Sequence, residues 1–332
     1  MTSLEKHQHT KTGWPWDQQV KPDIYTTEVE WPKISVITPS FNQGAYLEQT
    51  IRSILFQNYP NLEYIIIDAG STDETLRIIE RYASHLTYWV SEKDNGQSHA
   101  INKGLAISTG ELLTWLNSDD FFEPLALKVF AEHFLHKEAD FYQGQARIID
   151  TDGNELWKME GAPFDDLHTK FYDVQMPQPA SMFTRAAYEK YGPIDESLNF
   201  SMDMDFWLKI LAGGGRFVKV PKLLSNFRMH PISKTSGGTD NFVIDLLSKY
   251  SEARFTSKEK SILQSSFIES VIKDHEKHLL TYGRLTSRKT FKVILKILKK
   301  DPGMLRFIPE NISKRARFNL GKLRRYLQTA EK

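Results

Sequence analysis

The chain has no cysteine at all, which excludes both a disulfide framework and a thiolate metal site and fits a reducing compartment. It has no run approaching the ~18 apolar residues that a spanning helix needs. The stretch from Met1 to Lys33 is polar, with scattered Trp and Pro, and lacks the apolar core of a signal peptide. A soluble or peripheral protein in the cytoplasm is therefore expected. Net charge is nearly absent too, at +1. There is no internal repeat and no low-complexity tract.

What is present is an ordinary globular composition, 40% hydrophobic and 26% charged over 332 residues. That length accommodates one large domain with an appendage, or two modest domains. The charge is unevenly spread. Residues 284–325 carry 14 Lys or Arg against two acids, a local balance of +12, which leaves −11 on the remainder. An acidic body with a basic tail is the expectation. We divide the chain into an arm at 1–32, a body at 33–238 with halves 33–123 and 124–238, and a basic helical region at 239–332.

The body opens on a β-branched run, Ile34-Ser-Val-Ile-Thr-Pro39, suited to a strand. A helix over about 46–57 follows, with Leu47, Ile51, Ile54 and Leu55 on one face. Leu62 to Ala69 reads as a second strand, and its nearly all-apolar character suits a sheet covered on both faces. Ser71 and Glu74 have capping-box spacing for a helix running to about His85. Tyr88 to Val90, a helix over about 98–107, and Leu112 to Leu116 complete four alternations of strand and helix. That pattern predicts a doubly wound, mainly parallel sheet with right-handed crossovers. A helix over about 124–136 then leads to a hairpin, 141–149 with 155–158, which makes the sheet mixed. Helices near 186–191 and 204–211 and two late strands, 216–220 and 224–228, follow.

Four polar clusters fall at strand ends: Pro39-Ser40-Phe-Asn42, Asp68 with Asp73, Glu92-Lys-Asp94-Asn-Gly96, and Asn117-Ser-Asp119-Asp120. In a parallel sheet these converge on one edge, where ligands bind. The adjacent carboxylates Asp119 and Asp120 repel unless a cation or several donors compensate them. Acids for a ribose and base, with a cation for phosphate charge, describe a nucleotide-diphosphate site. The plain alternatives are turn formation for Asn42, Gly44 and Asp68, and a solvated Asp-rich turn for the pair.

The runs Ile34 to Asn42, Ile67-Asp-Ala-Gly-Ser-Thr-Asp73, Asp94 to Gly104 and Leu116-Asn-Ser-Asp-Asp120 together resemble family 2 glycosyltransferases, over about 60% of the chain. The resemblance implies a GT-A fold and inverting transfer from a nucleotide-diphosphate sugar to a glycan or lipid-linked acceptor, as in cell-surface polysaccharide synthesis. It places Pro39, Ser40, Asn42, Asp68, Asp94, Gln97, Asn102, Lys103, Asp119 and Gln178 on the donor. It makes Asp119 and Asp120 the DXD-like element, with Asp120 the first choice as ligand of Mn²⁺ or Mg²⁺. The segment Gln178 to Arg185 is similar to the one facing the transferred sugar. Gly192 to Asp205 is similar to the region of the catalytic base. There many members have Glu-Asp and this chain has Met202-Asp203, which makes Asp203 the base and Asp205 the reserve. The competing reading of both is favourable charge in the first turn of a helix. His230, in Phe227 to Ser233, resembles a position that reaches the metal, and an imidazole favours Mn²⁺ over Mg²⁺; its alternative is a structural histidine.

In the tail, Phe291, Ile294, Leu295 and Leu298 share a helical face with lysines on the others, a pattern suited to an anionic membrane surface through residues 284–325. A solvated face or a partner-docking face is the alternative. No nucleic-acid recognition motif accompanies the charge, so no nucleic acid is expected. Three rival functions stand beside glycosyl transfer. A sugar nucleotidyltransferase would need a Gly-rich loop bearing Arg and Lys after the first strand, which is missing. A processive synthase would carry spanning helices and a Gln-x-x-Arg-Trp motif, also missing. A non-catalytic scaffold that binds a nucleotide sugar would explain Met202.

Overall fold

A computed structural model describes residues 11–161, 176–231 and 233–234. The basic segment 284–325 and the boundary at 238 lie outside those residues. Strand β1, Ile34–Ser40, is buried at all seven positions, so its β-branched side chains are used on both faces. It lies between β2, Leu62–Asp68, and β4, Leu112–Trp115, parallel to both. β3, Tyr88–Ser91, adds in parallel to the far side of β2. The chain thus winds outward from β1 in both directions. β1 is the switch point, and a crevice opens beyond its carboxyl end.

Pro39 shows how that crevice opens. The β1–β4 ladder ends with Ile37 opposite Trp115, and Leu116 N donates to Ile37 O. Pro39, on the same side two residues later, has no N–H to continue it. β1 still pairs with β2 through Ser40, so the two neighbours part at this point.

Helix α1, Leu47–Leu55, buries Leu47, Ile51 and Ile54 completely. α2, Thr75–Tyr82, follows β2. α3, Gln97–Ile107, packs on β1 and β2. Its Gly104 allows the close approach, because a Cβ there would lie 2.5 Å from Ile37 Cγ2.

The second half is antiparallel where it joins the first. β8, Ser181–Thr184, pairs antiparallel with both β4 and β6, Phe141–Ile149. β7, Glu155–Met159, completes the expected hairpin with β6. A two-residue strand, β5 (Phe121–Phe122), pairs antiparallel with β9 (Phe217–Arg228) immediately after the Asp119-Asp120 turn. The two late strands expected from sequence are one strand, β9, Phe217–Arg228. Pro221 does not end it: the register with β6 jumps from Lys219–Gln143 to Leu223–Gln145, and the strand passes the proline as a bulge. α4, Ala126–His136, α5, Arg185–Tyr191, and α6, Met202–Ala212, complete the described elements.

The described part of the arm is held by polar contacts at aromatic anchors. Trp14 Nε1 donates to Phe122 O at 2.7 Å. The buried Arg52 guanidinium donates to Pro15 O and Trp16 O, and Tyr25, Trp31 and Tyr59 meet edge to face. No helix among the described residues is long and apolar enough to cross a membrane.

Candidate active site

The loops after β1 and β2 are locked by one carboxylate. Asp68 is fully buried. Its Oδ2 accepts from Gly70 N (3.1 Å), Ser71 N (2.9 Å) and Ser91 Oγ (2.6 Å), and its Oδ1 from Ser71 Oγ (2.5 Å). Ser71 Oγ in turn accepts from Asn42 N, while Asn42 Oδ1 accepts from Thr72 N at 2.9 Å. Asn42 sits at φ +51°, in the left-handed region that Asn tolerates. Asp68 therefore organises the ends of β1, β2 and β3, with its donors supplied by the loop after β2 and by Ser91 at the end of β3. These bonds also dispose of the capping box. The Ser71 hydroxyl is committed to Asp68, so Glu74 becomes the cap of α2 without a side-chain bond, and Asp73 Oδ1 receives Thr75 N instead. Two buried oxygens at the strand ends lack a protein partner, Ser40 Oγ and Asp94 Oδ2. Asp94 Oδ1 accepts from Gly96 N at 2.8 Å.

Asp119 and Asp120 have different surroundings. Asp120 is fully buried, its Oδ1 accepting from Arg228 N at 2.8 Å and its Oδ2 facing Asn117 Nδ2 at 3.4 Å. Burial first, then the Asp119 charge, raises its proton affinity well above the ordinary carboxylate range. Asp119 keeps 18% of its side chain exposed, and its Oδ2 meets Nε2 of the buried His230 at 2.9 Å. The His230 ring lies 5.1 Å from that of Tyr46. Among the described residues no group of three or more His, Asp or Glu gathers as a preformed metal shell. The expected trio divides: Asp119 and His230 meet, while the Asp120 carboxylate is turned to β9.

An amide chain runs across the crevice. Gln97 Nε2 donates to Asn117 Oδ1 at 2.7 Å, Asn117 Nδ2 reaches Gln178 Oε1 at 3.3 Å, and Gln178 Nε2 donates to Trp115 O at 2.7 Å. This chain joins the first residue of α3, the turn after β4 and the 3-10 turn Gln178–Ala180. Asn102 and Lys103, one and a half turns along α3, face other partners. Asn102 binds the 194–196 segment, and Lys103 pairs with Glu92.

Asp203 and Asp205 both lie in the first turn of α6. Asp203 is partly buried, with Oδ1 accepting from Met204 N at 2.7 Å. Desolvation pushes its carboxyl up to about 6. Asp205 is fully buried and paired with Lys209 at 2.9 Å. Of the two, Asp203 is the one a solvent-borne hydroxyl can approach.

The sequence reading missed Arg228 and Thr50. Arg228 is buried and its guanidinium makes four hydrogen bonds: Nε donates to Asp119 O, Nη1 to Asp150 O and Thr151 O, and Nη2 to Gln49 Oε1. Tyr46 and Phe121 rings lie 4.9 and 5.7 Å from it. The available signal was an arginine interrupting the strand just before His230. Thr50, from the middle of α1, donates to Asp120 O at 2.7 Å. Nothing in the helical pattern distinguishes it from a small core residue.

The family model of Glycosyl transferase family 2 matches residues 35–192. Chondroitin synthase of Escherichia coli is 31% identical over 203 residues, covering 60% of this chain and 29% of that protein. An uncharacterized glycosyltransferase of Mycobacterium tuberculosis is 30% identical over 184 residues, covering 54% of this chain and 68% of that protein. The crystal structure of S. aureus TarS 1-349 in complex with UDP-GlcNAc aligns with a TM-score of 0.58 at 18% identity, covering 84% of this chain and 82% of that one. At that identity the likeness concerns the fold, a mixed, curled GT-A-type sheet with helices.

Proposed function

The chain belongs to glycosyltransferase family 2, and on that premise we propose that it moves a sugar from a nucleoside-diphosphate donor to a hydroxyl of a growing glycan, with inversion. The observation that carries this reading is the division of carboxylates at the switch-point crevice. Asp119 is kept at the surface beside His230, while Asp203 is held with a raised proton affinity at a helix start.

In this reading the nucleotide lies over the carboxyl ends of β1 and β2. Ser40 Oγ and Asp94 Oδ2, two buried oxygens without protein partners at these strand ends, serve the base and ribose there, the Ser40 hydroxyl donating or accepting and the Asp94 carboxylate accepting. The residues present fit a divalent cation. Asp120 is a buried carboxylate beside a second carboxylate, an arrangement that added positive charge relieves. Asp119 and His230 converge on one point, and a hard cation held by one or two side chains takes its other ligands from substrate phosphates and water. The imidazole favours Mn²⁺ over Mg²⁺. When bound, the cation supplies charge that offsets the departing diphosphate.

The proton chemistry belongs to the chain itself. Asp203 accepts the proton of the acceptor hydroxyl as its oxygen bonds to the anomeric carbon, and the bond from that carbon to the diphosphate oxygen breaks. The products are the extended glycan and a nucleoside diphosphate. Gln178 and Asn117 fix the floor beneath the sugar.

A thermal-shift screen of UDP- and GDP-sugars with and without Mn²⁺ tests the reading. One donor at ~100 times its dissociation constant adds about 2.7 kcal/mol, and the shift is expected to be larger with Mn²⁺. A flat screen in both conditions would overturn it.

A further inference from the structure

Residues along α3 hold the segment that leads into α6. Asn102 makes a two-way pair with the backbone of Ile194: its Nδ2 donates to Ile194 O at 2.8 Å and its Oδ1 accepts from Ile194 N at 2.9 Å. The same Nδ2 reaches Glu196 Oε1 at 2.9 Å. One turn earlier, Ser98 Oγ donates to Leu198 O at 3.3 Å, and His99 Nδ1 lies 3.3 Å from Glu196 Oε2. Ile194 and Leu198 are themselves buried, so the segment is fastened by its backbone and its apolar side chains together. Four residues past Leu198, at Met202, α6 begins, and Asp203 is its second residue.

The opposite end of this connection is the donor side. α3 starts at Gln97, whose amide reaches Asn117, and Asp94 precedes it by one short turn. Gly104 seats the same helix directly on Ile37 of β1. One rigid helix therefore carries donor-side groups at its start and the approach to α6 along its next turn. The sequence reading put Asn102 on the donor. Its side chain instead has both polar atoms committed to the 194–196 segment.

We propose that Asn102 is a positioning residue, which sets the start of α6, and with it Asp203, against the helix that forms the donor side. The proposal rests on the glycosyl-transfer reading. Removing the amide leaves the backbone N–H and C=O of Ile194 without those partners, which favours their rotation toward water. The start of α6 then shifts relative to the donor, and Asp203 gains solvent. Lys234, which acts on Asp203 from beyond β9, and the Asp205–Lys209 pair on its own helix keep their places.

The test uses the full chain and nucleoside diphosphate release from the UDP- or GDP-sugar that the wild type turns over, with water or glycan as acceptor. Asn102→Ala is expected to lower kcat by about 10–100-fold, the scale of a ~1 Å misplacement, with the donor KM and the affinity for the free nucleoside diphosphate unchanged. The acidic limb of its pH profile moves from about 6 toward the ordinary aspartate range. Glu196→Gln keeps an acceptor oxygen for Asn102 and retains activity. Ser98→Ala, which removes one bond only, shows the same signs more weakly and serves if Asn102→Ala does not fold. Loss of nucleotide affinity in step with turnover would place Asn102 on the donor and overturn the proposal, as would wild-type kcat in Asn102→Ala. A wild type that releases nucleoside diphosphate from no donor refutes the underlying reading before any variant is made.

Discussion

Asp203→Asn is expected to remove most of the donor turnover and, at neutral pH, to make the protein more stable. The two effects have one cause. Desolvation raises the Asp203 carboxyl to about 6 from an ordinary value of 3.8, which matches a base to work near neutrality. Wild-type turnover should rise with pH through that value as the carboxylate forms, and level off above it. General-base catalysis is worth about 10²–10⁴-fold, and turnover in the variant should fall on that scale. The stability sign follows from proton counting. Between the unfolded and folded values the folded chain binds more protons, so stability falls as pH rises through the window from about 4 to about 6. Above it the ionised, desolvated carboxylate costs on the order of 1–2 kcal/mol once its partial exposure is allowed for. Asn is uncharged and nearly isosteric, so it removes that cost. Melting at pH 7.5 should be higher for the variant, and the gap should close toward pH 4. Wild-type turnover in Asp203→Asn would remove it as the base, and equal melting at every pH would contradict the buried charge.

The second large effect concerns Asp119 and His230. Because these two side chains converge at 2.9 Å, with Asp120 turned to Arg228 N, the account assigns them the direct hold on the cation. Asp119→Asn should cost at least ~10²-fold in turnover, since it removes both a ligand and its charge where the diphosphate leaves. His230→Asn should cost about 10–100-fold and shift the metal dependence, with more Mn²⁺ needed for half-maximal rate. Asp120→Asn acts differently. Its carboxylate is an internal anchor that receives Arg228 N, and a neutral side chain of the same shape can retain that bond at Oδ1. A milder loss than in Asp119→Asn is therefore expected. The reverse ranking, with Asp120→Asn the more damaging for Mn²⁺ dependence, would return the ligand role to Asp120.

Much of this was legible in the sequence because the signals were local. The β-branched run at Ile34, the apolar run at Leu62 and the polar clusters after each strand identify a parallel sheet and the edge that carries the candidate site. The chemistry-bearing types Asp119, Asp203 and His230 stand out by themselves. What could not be read depends on partners far apart in sequence. Asp68 appears as a ligand from its place at a strand end, yet Ser91, 23 residues on, completes its shell. Asn102 has the same composition whether it meets a nucleotide or Ile194, 92 residues away. The capping box failed because Ser71 had a stronger local acceptor in Asp68. Pro221 marked a strand break by the usual rule, and a bulge against β6 absorbed it. Arg228 offered only its charge beside His230, since its partners, the carbonyls of Asp119, Asp150 and Thr151 and the side chain of Gln49, lie 77 to 179 residues away.

The most direct test of the central claim, that this crevice holds a nucleoside diphosphate and a cation together at Asp119 and His230, is pulsed electron paramagnetic resonance of Mn²⁺ bound to the full chain with UDP or GDP. The account predicts ³¹P coupling from the diphosphate and ¹⁴N coupling from an imidazole in the same spectrum, with the nitrogen signal lost in His230→Gln. A nitrogen coupling that persists in that variant, or bound Mn²⁺ that senses no phosphorus, would contradict it.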